Sequence, residues 1–161
     1  VECVADKEIS TAHGPFQLCA FADRVSGEVH LALSRGDITP DAEALVRVHE
    51  PISVLDFLDC ASHRHSFTVD QAMAAIARAK SGVIVLLHRK ESGDDLIANL
   101  KSEESRPAAK WDPRLYGIGA QILRELGVGK MRLMASPRKM PSMAGFGLEV
   151  CGYLSPDDLN A

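Results

Sequence analysis

The segment from Asp112 to Lys139 constrains the fold more than any other part of the chain. Tyr116 to Leu126 sets Ile118, Ile122 and Leu126 on one stripe at helical spacing, and Gly127 supplies the stop. Met131 to Ala135 follows as a short apolar run of strand length. A helix with one apolar stripe that runs directly into a buried strand has to pack back onto a sheet. The same grammar recurs upstream. Leu45 to His49 alternates, with Leu45 and Arg47 on one face and Val46 and Val48 on the other. Ser53 to Asp59 has Val54, Leu55 and Leu58 at the spacing of a short helix. Thr68 stands where it can cap a helix whose stripe is Val69, Met73 and Ile76 and which Ser81-Gly82 ends. Val83 to Leu87 is a continuous, mostly β-branched run that suits a central strand buried on both faces.

The remaining segments are simpler. Phe16 to Ala22 and Glu28 to Ser34 are β-like runs joined by a turn around Ser26-Gly27, and Gly145 to Leu154 is the expected last strand. Arg89 to Lys110 is polar, with weak helical character around Asp94 to Leu100 and a break at Arg106-Pro107. Strands and helices alternate after residue 45, so the expected fold is α/β (α+β), a mixed sheet covered by helices. Residues 1–161 form one domain with no internal repeat or linker; 1–12 are expected to be a junction and 155–161 a frayed tail. The first residue is Val1, which suggests a piece excised from a longer chain or a trimmed one.

Composition narrows the function classes. A net charge of -4 argues against a general nucleic-acid binder. No apolar run approaches the ~20 residues that cross a membrane. Cys3, Cys19, Cys60 and Cys151 have no paired spacing; Cys19 and Cys151 lie in apolar runs and are expected to be small core residues. The chain is read as cytoplasmic, with reduced thiols.

Three polar groups could carry chemistry. Asp112 and Arg114, two apart just before a helix, can face one pocket, with the Tyr116 hydroxyl beside them; the same residue types also serve as a capping Asp and a solvated Arg. Arg138-Lys139 follows a strand, where two cations favour phosphate or form a solvated basic turn. Arg47 and His49 share a strand end, a position that is more often structural than catalytic.

These segments together resemble GTP cyclohydrolase II, a zinc enzyme of riboflavin biosynthesis that opens the imidazole ring of GTP and releases formate and pyrophosphate. The resemblance covers nearly the whole chain and is strongest from Tyr116 to Leu148. It implies active-site roles for Asp112, Arg114 and Tyr116, a GTP contact for Lys139 beside Arg138, and a pocket lining for Arg47 and His49. It also shows departures. Pro113 replaces an acidic residue, Ala135 a threonine, and Thr68 a glutamine. The family's Cys, ten residues, then Cys-x-Cys falls on Ile52, His63 and His65. Ile52 offers no donor, although His63 and His65 could join Cys60 or His49 in a substitute site. The family's Glu-Gly-Arg and Gly-rich nucleotide loop is reduced to Glu91 among Asp94 and Asp95, and the following connection is shorter.

The resemblance thus implies the C-terminal half of a bifunctional protein whose other half is 3,4-dihydroxy-2-butanone 4-phosphate synthase, with Val1-Glu-Cys-Val4 similar to the junction. The expected role is a catalytically silent, pseudoenzyme domain that supports or regulates that synthase. It would carry no cofactor, bind GTP or phosphate weakly, form a homodimer, and engage neither nucleic acid nor membrane. The alternative is an active GTP cyclohydrolase II with a substitute zinc site. A third reading is phosphate hydrolysis without ring opening.

Overall fold

The computed structural model describes residues 1–50, 53–58, 67–88, 90–101, 113–135 and 144–155. Seven strands form one sheet in the order β1-β2-β3-β5-β4-β6-β7. They are β1 (Glu2–Thr11), β2 (Gly14–Ala22), β3 (Val29–Arg35), β4 (Glu43–His49), β5 (Gly82–Leu86), β6 (Lys130–Met134) and β7 (Glu149–Leu154). The first three and β5 pair antiparallel, whereas β5, β4, β6 and β7 run parallel to one another. The helices are α1 (Leu55–Leu58), α2 (Val69–Arg78), α3 (Gly93–Lys101) and α4 (Pro113–Glu125). This is the mixed sheet covered by helices that the alternation predicts. No helix among the described residues is long and apolar enough to cross a membrane.

The two long helices cover opposite faces. On the α4 side, Ile118, Ile122 and Leu123 pack on Val46, Val83, Val85, Leu87, Met131 and Leu133. On the α2 side, Ala72, Ala75 and Ile76 pack with Phe16, Leu33, Phe67, Ile84 and Met134. β5 is accordingly buried on both faces, and each large side chain so buried stabilises by about 1.5–3 kcal/mol relative to exposure. The helix ends follow from local chemistry. The Thr68 hydroxyl accepts from the Gln71 N–H at 3.1 Å, and the Gln71 side chain accepts from the Thr68 N–H at 3.0 Å, a complete capping box. α4 ends where Gly127 takes φ +93°, with its N–H donating to Arg124 and that of Val128 donating to Leu123. Where α2 hands over to β5, a Cβ on Gly82 would lie 2.6 Å from Ile76 Cγ1 and 2.8 Å from the Leu45 carbonyl oxygen, so only glycine fits.

Several expectations need correction. Residues 2–11, within the stretch taken as a junction, form the ten-residue edge strand β1. The apolar run from Gly145 opens with a short 3-10 turn, Ala144–Phe146, and the strand begins only at Glu149. Cys151 is exposed on that strand and is not a core residue, whereas Cys19 is buried. Val54 and Leu58 are exposed, so the short helix does not bury the apolar residues that suggest it. The helical character expected around Asp94 to Leu100 is borne out by α3, none of whose residues is fully buried.

Candidate functional site

The parallel strands β4, β5 and β6 bring their C-terminal ends to one edge of the sheet, the place where open α/β sheets hold ligands. Arg47 and His49 stand at the end of β4, both buried, on the α2 face with Leu45. The Arg47 guanidinium donates from Nη1 to the Met134 carbonyl at 3.0 Å and from Nη2 to the Phe67 carbonyl at 3.3 Å. Its Nη2 also lies 3.4 Å from His49 Nδ1, and its carbon sits 5.7 Å from the centre of the Phe67 ring. One cation therefore ties the end of β6, the lead-in to α2 and the end of β4. The His49 ring in turn lies 6.4 Å from that of Phe57 in α1.

Glu91 also binds within the chain. Its Oε1 accepts from the Val54 N–H at 3.2 Å, and its Oε2 accepts from Asn99 Nδ2 at 2.9 Å. The Ser53 hydroxyl, then these two donors, hold its carboxyl below the ordinary carboxylate range. The carboxylate so joins the start of α1 to α3. Arg114 and Tyr116 come from the first turns of α4, on the opposite face of the sheet from Arg47. Tyr116 packs on the α4-side core, and the Arg114 side chain is largely exposed with Nη2 3.6 Å from Glu28 Oε1. Asp112, Arg138, Lys139, Ile52, Cys60, His63 and His65 lie outside the described residues.

A pair that the sequence does not single out sits beside Arg114. His30 is fully buried at the start of β3, and its Nδ1 accepts from the His88 N–H at 2.9 Å. The ring proton is therefore on Nε2, which points at Glu28 Oε2 from 3.6 Å. Neither of those two atoms has a hydrogen-bond partner among the described residues. Burial, more than any neighbour, pushes the His30 pKa down, with His88 adding to it and Glu28 opposing. The only trace in the sequence is Glu28-x-His30, two polar residues at the alternate positions of a strand whose same face continues into Ala32.

Zinc, which the resemblance implies, needs at least three converging donors. Among the described residues no three of His, Cys, Asp or Glu come together to hold a metal ion. The resemblance puts the family's thiolate positions at Ile52, His63 and His65, which lie outside the described residues, and an isoleucine has no lone pair to give. On that resemblance, these residue types do not fit a three-thiolate zinc centre.

A family model described as GTP cyclohydrolase II matches residues 2–155. The chain is 44% identical over 153 residues to a 3,4-dihydroxy-2-butanone 4-phosphate synthase of Neisseria meningitidis serogroup A, covering 95% of this chain and 42% of that protein. It is 39% identical to a protein of the same name from Pseudomonas aeruginosa over 158 residues, covering 96% and 43%. It is 34% identical over 168 residues to the riboflavin biosynthesis protein RibBA of Chlorobium phaeovibrioides, covering 93% and 40%. A crystal structure of RibBX, a two-domain 3,4-dihydroxy-2-butanone 4-phosphate synthase from A. baumannii, superposes with a TM-score of 0.66 at 29% identity over 96% of this chain and 40% of that one. The chain thus spans about two fifths of the length of the curated relatives it matches. Because the family match runs from the first strand to the last, the chain belongs to the GTP cyclohydrolase II family.

Proposed function

We propose that this chain is a GTP cyclohydrolase II-family domain of riboflavin biosynthesis that has lost ring opening and supports or regulates a 3,4-dihydroxy-2-butanone 4-phosphate synthase domain in the same protein. The observation that carries this reading is Arg47. Its Nη1 and Nη2 groups donate inward to the Met134 and Phe67 carbonyls, so the arginine that would line a nucleotide pocket acts as a tie between elements. Glu91 is engaged in the same way by Val54 and Asn99. Ring opening in the family needs a zinc-bound water, whose pKa falls to about 7 from 15.7. With Ile52, His63 and His65 at the thiolate positions, this chain lacks the donor set that would hold such a zinc. The names of the relatives favour the synthase as the working partner.

The test uses the full-length protein that carries this domain. Deleting the domain lowers the stability, assembly or activity of the synthase, through lost contacts and lost effective concentration. Asp112→Ala leaves all three intact. If the point variant behaves like the deletion, the domain is working as an active site and the proposal fails.

The second reading, an active GTP cyclohydrolase II with a substitute zinc site, draws on the retention of Asp112, Arg114 and Lys139 and on the exposed Arg114 guanidinium. Elemental analysis and formate release from GTP separate the two. About one zinc per chain, lost on replacing His63 and His65, together with formate release at an ordinary enzymatic rate, would establish the second reading over the first. Weak GTP or pyrophosphate binding, and a homodimer, are compatible with both.

A further inference from the structure

Cys3 and Cys19 lie on neighbouring antiparallel strands. Cys3 pairs with Phe21 and Cys19 pairs with Asp6, so the two cysteines are diagonal neighbours on the face of the sheet that α4 covers. The register shifts between Cys3 and Ala5, leaving Val4 as a bulged residue between the two pairings. A bulge sharpens the local twist of a strand pair, and β1 is an edge strand with no outer neighbour among the described residues to resist closure. The Cys3 thiol is close enough to be among the groups that push the Cys19 thiol up. Cys3 Sγ also donates to the Ala5 carbonyl at 3.7 Å, which directs its lone pairs away from that oxygen. Cys3 is exposed, Cys19 is buried, and both are free thiols.

We infer that Cys3 and Cys19 form a reversible dithiol–disulfide pair, with Cys3 as the attacking thiol and Cys19 as the resolving one. Ordinary diagonal neighbours have Cα atoms about 7–8 Å apart, whereas a disulfide needs roughly 4.4–6.8 Å, so β1 must close on β2 by about an ångström. A bulged edge strand can do this with little disturbance to the rest of the sheet. The order of attack follows from access and acidity. Cys3 meets solvent, while burial first, and then Cys3 and Asp6 nearby, push the Cys19 thiol up to about 11. The oxidant is a small-molecule disulfide. The Cys3 thiolate attacks one of its sulfurs, forming a mixed disulfide and expelling one thiolate. Cys19 loses its proton and attacks the Cys3 sulfur, forming the internal bond and expelling the second thiolate. Two protein thiols are oxidised, one small disulfide is reduced to two thiols, and the two protons end on those thiols. Nothing in this step involves the nucleotide-pocket residues, so it stands or falls independently of the proposed function.

The test is to incubate the folded protein with oxidised glutathione at mildly alkaline pH, trap the remaining thiols with an alkylating agent, and map the peptides by mass spectrometry. The expected product has Cys3 joined to Cys19, both lost to alkylation together and both restored by dithiothreitol. Cys19→Ala is expected to convert the product into a stable glutathione adduct on Cys3, and Cys3→Ser to leave Cys19 a thiol that alkylates only after unfolding. Persistence of the Cys3 adduct in the wild-type chain while Cys19 stays reduced would overturn the inference. So would joining of Cys3 to Cys60, Cys151 or a second chain, or no reaction at Cys3 at all.

Discussion

Removing the Arg47 guanidinium strands two backbone carbonyls, those of Met134 and Phe67, in a region closed to water. Hydrogen bonds to a charged donor and the desolvation of an orphaned acceptor set the scale, so Arg47→Met is expected to lower unfolding free energy by roughly 2–4 kcal/mol. Arg47→Lys should recover only part of this, because one ammonium cannot reproduce a planar fork that reaches two elements. Urea denaturation of the three proteins gives the comparison, and an Arg47→Met chain as stable as wild type would contradict the tie. Glu91 makes a different kind of join. Its pKa lies below the ordinary value of 4.5, so its contribution is fully present above that value and is lost as pH falls through the lower value of the folded state. The protection of the Val54 amide against exchange, relative to the unfolded chain at the same pH, should therefore fall selectively below the ordinary carboxylate range. Glu91→Gln should show fast exchange at every pH, and an unchanged acid transition in that variant would point to another group.

The elements show which signals a sequence carries and which it hides. The N-cap of α2 is worth about 1 kcal/mol, and Thr68→Ala should cost that much in denaturant titrations while Thr68→Ser costs little. This cap, the Gly127 stop and the two-sided burial of β5 were readable because each rests on a short-range rule: a hydroxyl before an apolar stripe, a glycine after one, a β-branched run without polar interruption. The β4 alternation was equally plain, and with it the siting of Arg47 opposite Val46. β1 was not readable, since nearly all of its residues are exposed and it joins the sheet through backbone pairing with β2. An edge strand need not alternate, and hydrophobic periodicity is the signal a reader relies on. Cys151 misleads for the same reason at the other edge, where its side of β7 is exposed while Val150 and Tyr153 pack on the core. At the candidate site, Glu28 and His30 escaped notice because a carboxylate and an imidazole next to Gly27 look like the end of a turn. Their significance comes from what the fold brings to them, the His88 amide and the Arg114 guanidinium.

The whole sheet joins two kinds of pairing. β1, β2 and β3 are successive antiparallel neighbours, linked by short turns. The parallel half is closed by β4 against β6, where Glu43 pairs with Lys130 and Val46 with Leu133. Loop-closure entropy makes contacts so far apart in sequence form late. Phe21→Leu, in the local half, is expected to slow folding, whereas Met131→Ala, in the distant half, should act mainly by speeding unfolding. Stopped-flow chevrons distinguish the two, and equal effects on both limbs in both variants would remove the distinction.

That late closure has a meaning in time during synthesis. A ribosome releases the antiparallel half, then β4 and β5, long before residues 130–134 exist. Throughout that interval one edge of β4 lacks the strand it will finally pair with, and the apolar faces of Ala44 and Val46 lack the helix that will cover them. An open parallel edge beside uncovered apolar surface is what chaperones bind and what aggregates recruit. The placement of α4 and β6 near the end of the described chain thus makes the nascent domain most vulnerable just before it is complete, and slowing translation within residues 44–113 should lower its soluble yield more than slowing it after residue 134.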